Sequence, residues 1–292
     1  MDFITLDVET ANSNPKSICQ VGIAIFKNGE LVESWGSLVN PQSHFDGINM
    51  AIHGITPDAV KDAPTIEQLK PKIDQFIGDS IVGIYSCFDK IAFERNFEGI
   101  DYNWLDITMV VRRTWEKVAY SGYGLANVCY LNDIQIGNHH DAVADAIAAG
   151  RVLVCALNAK NIQLDDCKSL IKKRIGTVMA RGEMVEGRAP SNIFIEGGNT
   201  EGDWYGDVVC FTGELKLPRM EASVIASQVG FNVGNGVTKK TNYLVKGHQD
   251  LFKLNGKTIS AKEEKALALI KKGQDIVVIS ESDFFYMING SL

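Results

Sequence analysis

Residues 3–9 read FITLDVE, an alternation that fits a β-strand. Successive side chains of a strand point to opposite faces, so Ile4, Leu6 and Val8 share one face while Asp7 and Glu9 share the other. Two carboxylates side by side repel unless a cation lies between them. The stretch therefore points to a hard divalent metal held by oxygen ligands. The alternative is an edge strand whose acidic face is solvated.

Working outward, ICQVGIAIFK (18–27) and ELVESWGSLV (30–39) read as two further strands. They are joined by Asn28-Gly29, a strong hairpin signal because both residues tolerate positive φ. Three antiparallel strands open the fold. Residues 40–60 are loop-rich with room for short helices. TIEQLKPKIDQFI (65–77) is an amphipathic helix pattern, and SIVGIYS (80–86) is a buried strand feeding the helix FDKIAFERNF (88–97). Helical patterns over 108–118 and 124–132 lead to DAVADAIAAGRVLVCAL (141–157), whose alanines allow close backbone approach. The pattern is α/β with a mixed sheet.

Residues 158–203 change character. One helix is expected over 166–179, followed by a stretch rich in Gly, Asn and charge, which reads as a partly helical linker. From Trp204 to Leu292 a second compact pattern begins: strand 207–213, helix 219–230, strand 242–247, helix 261–273, strand 275–280 and a last helix capped by Ser280 or Ser282.

The chain has 292 residues, 45% hydrophobic and 22% charged, enough for two ordinary globular domains. Its six cysteines are scattered without a CxxC pair, which argues against a disulfide framework or a zinc site. Asp2, Asp7 and Glu9 stand where a secretory leader would be basic and then apolar. No uninterrupted apolar run approaches the roughly 18 residues needed to span a bilayer. A cytoplasmic protein with no membrane partner is expected. The net charge of −7 divides into about −9 for residues 1–156, with 20 acidic against 11 basic residues, and about +2 for the rest. This excludes a generally basic nucleic-acid coat, but not local contact with nucleic acid through metal ions.

Two further segments give the DxE pair company. Asp89 stands at the start of a helix just after a strand, placed either as a first-turn charge or as a third ligand. In NHHDAVAD, His140 precedes Asp145 by five residues; His139 and His140 read alternatively as turn residues, and Asp145 as a polar residue of a helix surface.

Together these segments resemble the DnaQ-like DEDDh exonuclease family, which includes DNA polymerase III epsilon-subunit-like proteins. Asp7 and Glu9 match its first motif, Phe88-Asp89 its second, and His140 with Ala142 and Asp145 its third. NGELVESWGSLVNP, IHGITPDAVKDAPT and WLDITMVVRRTW match between the motifs, so the likeness covers residues 1–156. It implies a ribonuclease H-like exonuclease domain over residues 1–157. It further implies two Mg²⁺ or Mn²⁺ ions held by Asp7, Glu9, Asp89 and Asp145, with His140 as general base. The substrate would be the 3′ end of single-stranded or frayed DNA, or alternatively RNA, in replication or repair. Thr10, Ile52, His53, Tyr85 and Phe88 would lie against it, with stacking on Tyr85 or Phe88. Ile84 and Tyr85 depart from the family's usual His-Asn, and Thr10-Ala11-Asn12 from its commoner Thr-Thr-Gly.

Residues 204–292 are similar to a BRCT domain through VVCFTG, VTKKTNYLV and the late aromatic helix, although Gly230-Phe231 replaces its Gly-Gly and Phe284 or Phe285 its Trp. The likeness implies a small α/β domain with a parallel sheet, and a phosphate pocket at Thr212, Gly213, Arg219 and Lys262. Its ligand would be a DNA 5′ phosphate or a protein partner. The competing expectation is a catalytically silent scaffold that acts through the BRCT domain alone.

Overall fold

A computed structural model describes residues 1–115, 122–167, 171, 198–249 and 259–289. The expected linker helix over 166–179 lies almost wholly outside the described residues, as does the end of the helix expected over 108–118. The chain divides into two compact units, one of Met1–Ile171 with Ile270–Asp275, the other of Lys172–Leu269 with Ile276–Leu292.

The first unit is built on a five-stranded sheet of β1 (Phe3–Thr10), β2 (Ile18–Lys27), β3 (Glu30–Leu38), β4 (Ile81–Ile84) and β5 (Asn103–Asp106), in the order β3-β2-β1-β4-β5. The first three strands are antiparallel neighbours, and β4 and β5 run parallel to β1. The sheet is mixed, and β1 is its central strand. The solvated-edge alternative for Asp7 and Glu9 is thereby removed. Asn28 and Gly29 carry φ of 54° and 82° in the first hairpin, as two-residue hairpin turns require.

Helices cover both faces. Ile4, Leu6 and Val8 join Ile66, Ile73 and Ile77 of α3 (Ile66–Ile77) and Phe93 of α4 (Cys87–Asn96) in one apolar layer. Two short helices, α1 (Gly47–His53) and α2 (Pro57–Val60), occupy the loop-rich stretch before α3. On the opposite face Phe3 and Phe26 pack with α5 (Ile107–Thr114), α6 (Leu125–Leu131) and α7 (Ala142–Lys160). Burying each such Ile or Phe side chain contributes about 1.5–3 kcal/mol.

The long helix α7 lies unusually close to the sheet. A Cβ on Gly22 would stand 2.2 Å from the Ala142 carbonyl, so β2 needs glycine at that point. Thr5 Oγ1 donates to Ala146 O at 2.6 Å from the same side. By length and composition α7 is apolar enough to cross a membrane, with a mean hydropathy of 1.6, and that apolar character faces the sheet and α5 and α6. The helix continues past residue 157 to Lys160, and Leu164 and Cys167 beyond it are buried in the same layer.

In the second unit β6 (Val208–Thr212), β7 (Asn232–Gly234), β8 (Tyr243–Lys246) and β9 (Val277–Ser280) form a parallel sheet in the order β7-β6-β8-β9. The three-residue β7 is too short to be read from sequence pattern. The helices are α8 (Arg219–Gln228), α9 (Ala261–Ile270) and α10 (Glu281–Asn289). Ser280 caps α10, its Oγ accepting from Asp283 N at 3.2 Å. Trp204 stacks on Phe231 at 5.1 Å, and Phe231 and Phe211 both pack on Phe284 of α10. Residues 198–203 belong to this packing, since Asn199 N donates to Ser227 O at 2.8 Å.

Candidate active site

The row Phe3, Thr5, Asp7, Glu9 runs along the α7 face of β1, and its last two members emerge beside the first turn of α7. That turn is fixed to β2. Gln20, opposite Glu9 in the ladder, donates to Asp141 Oδ2 at 2.9 Å and accepts from Ala142 N at 3.2 Å. Asp141 Oδ1 caps the helix by accepting from Ala144 N at 3.1 Å. Asp145, one turn in and only 4% exposed, is thereby brought to the two strand carboxylates. Ligand oxygens of Asp7, Glu9 and Asp145 lie within 4.8 Å of one another. Burial of Asp145 rules out the surface-polar alternative.

Asp89 arrives from the other neighbour of β1. It occupies the first turn of α4, just beyond the carboxyl end of β4, and its Oδ1 accepts from Val8 N at 3.2 Å. Val8 lies between Asp7 and Glu9, so the fourth carboxylate is hydrogen-bonded to the strand segment that carries the first two. Its Oδ2 is buried without a partner among the described residues.

The electrostatic consequence is mutual repulsion. Burial, then the charges of Asp89 and Asp145, push the Asp7 carboxyl well above the usual carboxylate range. Burial and the charges of Asp145 and Asp89 do the same for Glu9. Burial raises Asp89 to about 8, against the opposing hydrogen bond from Val8. A divalent cation would relieve all three, and a donor set of carboxylate oxygens suits Mg²⁺ or Mn²⁺. The orphaned Asp89 Oδ2 is the kind of atom such an ion satisfies. The residues present therefore fit the metal that the sequence implied.

His140 takes a left-handed backbone, φ 68°, so that its N–H donates to Asp145 Oδ2 at 3.0 Å. Its ring stacks on His139, with centroids 3.9 Å apart. His139, which motif spacing leaves as a turn residue, places Nδ1 2.9 Å from Asp145 Oδ1. The doubled His-His was the signal for it, but register alone selects only one member. Burial lowers His139, yet the hydrogen bond and charge of Asp145 outweigh it, and its pKa is raised. Burial and then the His139 charge lower His140.

Among the remaining expected substrate residues, Thr10 is buried at the end of β1. Its carbonyl accepts from Asn49 Nδ2 at 2.9 Å and is 3.2 Å from His53 Nε2. His53 Nδ1 accepts from Ile55 N at 3.0 Å, which leaves the proton on Nε2, and burial drops its pKa to about 4. His53 is thus a neutral, half-buried donor. Ile52 and Phe88 are half-buried. Tyr85 corrects an expectation. It is 8% exposed within the α7-side core, and its hydroxyl donates to Tyr123 O at 3.0 Å, so its ring has no free face for a base. With Ile84 also in the core, the departure from His-Asn is absorbed as apolar packing.

In the second unit the four expected phosphate residues come together at the end of β6. Gly213 has φ 75°, and a Cβ there would stand 2.8 Å from His248 O, so the turn requires glycine. Arg219 donates to Phe211 O at 2.7 Å and Gly213 O at 2.6 Å, and Lys262 Nζ to Phe211 O at 2.8 Å. Thr212 Oγ1 is 2.8 Å from Ser260 Oγ, a hydroxyl that sequence reasoning missed.

A family model described as "Exonuclease" (RNase_T) matches residues 4–153. The chain is 26% identical over 190 residues to DNA polymerase III PolC-type of Clostridium perfringens, a match covering 61% of this chain and 13% of that protein. It is 28% identical over 159 residues to the PolC-type polymerase of Oceanobacillus iheyensis, covering 52% and 11%. The chain thus spans about an eighth of the length of these relatives. Among solved structures, Exonuclease X in complex with 5′ overhanging duplex DNA superposes with a TM-score of 0.50 at 20% identity, covering 57% of this chain and 98% of that one. That likeness shows the fold.

Proposed function

The chain belongs to the exonuclease (RNase_T) family through residues 4–153, and from that premise we propose that it hydrolyses phosphodiester bonds from the 3′ end of DNA with divalent metal. The observation that carries this reading is the convergence of Asp7, Glu9 and Asp145, with Asp89 bonded to the strand between the first two. The PolC relatives are DNA polymerases by name, which supports DNA as the strand.

Asp7, Glu9, Asp89 and Asp145 would hold Mg²⁺ or Mn²⁺. Bound there, the metal would acidify a water and neutralise charge on the scissile phosphate. His140 is the group that takes the water's proton. Its lowered pKa keeps the imidazole neutral near pH 7, which is the form able to accept. His139 holds the Asp145 carboxylate in place through Nδ1. The half-buried neutral His53 fixes the Thr10 carbonyl, and through it the end of the strand that presents Glu9.

The second unit is read as a BRCT module. Thr212, Gly213, Arg219 and Lys262, with Ser260, form its phosphate pocket, which takes a DNA 5′ phosphate or a phosphorylated protein partner. Arg219 and Lys262 both lie at the β6 end, where they donate to the carbonyls of Phe211 and Gly213, and this shared position supports the reading.

The test is degradation of matched linear and circular single-stranded DNA with Mn²⁺. Loss of the linear strand alone, abolished by chelation, is expected. Cutting of the circle would contradict an exonuclease, and an inert protein would favour the scaffold.

A further inference from the structure

His140 is held in a left-handed backbone, φ 68°, a region that residues other than glycine enter uncommonly and keep only where their surroundings over-determine it. Two of its holds are local: its own N–H donates to Asp145 Oδ2 at 3.0 Å, and Asp141 N donates to Asn138 O at 3.1 Å. A third comes from the sheet. One amide on β2, that of Gln20, meets the two residues that follow His140. Its Nε2 donates to Asp141 Oδ2 at 2.9 Å, and its Oε1 accepts from Ala142 N at 3.2 Å. A backbone N–H can only donate and a carboxylate can only accept, so neither contact survives a flip of the amide. Gln20 is also the ladder partner of Glu9. The turn that carries His140 is thereby tied to the strand pair that carries Asp7 and Glu9. Asp145 has support of its own, because Thr5 Oγ1 donates to Ala146 O and the Ala142 backbone lies against Gly22.

We propose that Gln20 is a positioning residue: through Asp141 it holds the left-handed turn and so sets the His140 imidazole against the carboxylates, without touching substrate or metal. That an imidazole so placed serves hydrolysis rests on the exonuclease reading above. A reacting group displaced by about an ångström loses on the order of a hundredfold in rate. Loss of this latch should therefore appear in kcat and leave the binding of strand and metal nearly as they were.

The experiment measures kcat, KM for a single-stranded oligonucleotide and the Mn²⁺ needed for half-maximal rate in wild type, Q20M, H140A, Q20M/H140A and Q20E/D141N, with thermal unfolding recorded for each. Q20M keeps the side-chain length and removes both hydrogen bonds, so kcat should fall about 10–100-fold while KM and the Mn²⁺ requirement stay within about threefold. Added to H140A, which has no base left to misplace, Q20M should change kcat by less than about threefold. Q20E/D141N exchanges carboxylate and amide at unchanged net charge, and should return kcat to within about threefold of wild type. The ring signal of His140 in ¹³C-labelled protein without DNA, identified by its loss in H140A, should shift in Q20M and return in the exchanged pair. Equal slowing of wild type and H140A by Q20M, failure of the folded exchanged pair to recover, or an unmoved ring signal overturns the assignment. D141N breaks the same contact from the helix side and replaces Q20M if that variant does not fold. If wild type leaves the strand intact, the exonuclease reading falls, and the ring signal alone then decides the latch.

Discussion

His139 Nδ1 lies 2.9 Å and 3.0 Å from the two carboxylate oxygens of Asp145. The N–H of His140 donates to the same carboxylate, so consecutive residues contact one buried acid by different means. The proposed reading gives the two imidazoles different roles, His139 as the support of Asp145 and His140 as the base.

This separation predicts unequal variants. H140A should lower kcat by about 10²–10⁴-fold, the usual contribution of a positioned base. H139A should chiefly weaken metal, raising the Mn²⁺ needed for half-maximal rate by about 10–100-fold, as loss of a ligand's supporting partner does. Metal titrations of initial rate distinguish the two, and identical profiles would contradict the assignment.

The raised carboxyls predict an inverted pH response without metal. Asp89 ionises near 3.8 in the unfolded chain but at about 8 in the folded one. Between those values the folded state holds a proton that the unfolded state lacks, so stability falls as pH rises. Asp7 and Glu9 act in the same direction. In EDTA the Tm should therefore drop from pH 5 to pH 8. Mn²⁺ should reverse this, adding about 2.7 kcal/mol at a hundredfold excess over its Kd. A Tm in EDTA that rises over this range would refute the carboxylate cluster.

Gly22 is where α7 meets the sheet. G22A forces a methyl into the Ala142 backbone, which must shift and carry Asp145 with it. A destabilisation of about 1–3 kcal/mol is expected, with activity reduced beyond the loss of folded protein. Denaturant unfolding alongside specific activity measures both.

Tyr85 is a core residue, so Y85F should leave kcat and KM within about twofold and cost about 1 kcal/mol through the lost bond to Tyr123 O. A large rise in KM with unchanged stability would restore Tyr85 to the substrate.

Much of the first unit was legible because local pattern and tertiary role agree there. The period-two alternation of residues 3–9 set which face of β1 carries the acids, and Asn28-Gly29 fixed the hairpin register. Asp89 and Asp145 stand at helix starts after a strand or turn, which left first-turn charge and surface polarity open, and it was the family resemblance that singled them out as ligands. Other features could not be read from the chain. Tyr85 sits where strand, helix and core meet, and sequence does not say which face of that junction is closed. Gln20, Asn49 and Ser260 act through contacts 121, 39 and 48 residues away along the chain. Their contacts form only once α7 meets β2, α1 meets β1 and, within the second unit, the start of α9 meets β6.

Asp7 and its three acidic neighbours are proposed to hold metal for hydrolysis at a 3′ end, and time-resolved digestion of a 5′-labelled single strand with Mn²⁺, by wild type and D7N, puts that to the proof. Wild type should give a ladder that shortens stepwise from the unlabelled end, and D7N, shown to be folded by its unfolding curve, should leave the strand intact. An equal ladder from D7N, or immediate release of labelled mononucleotide by wild type, would contradict it.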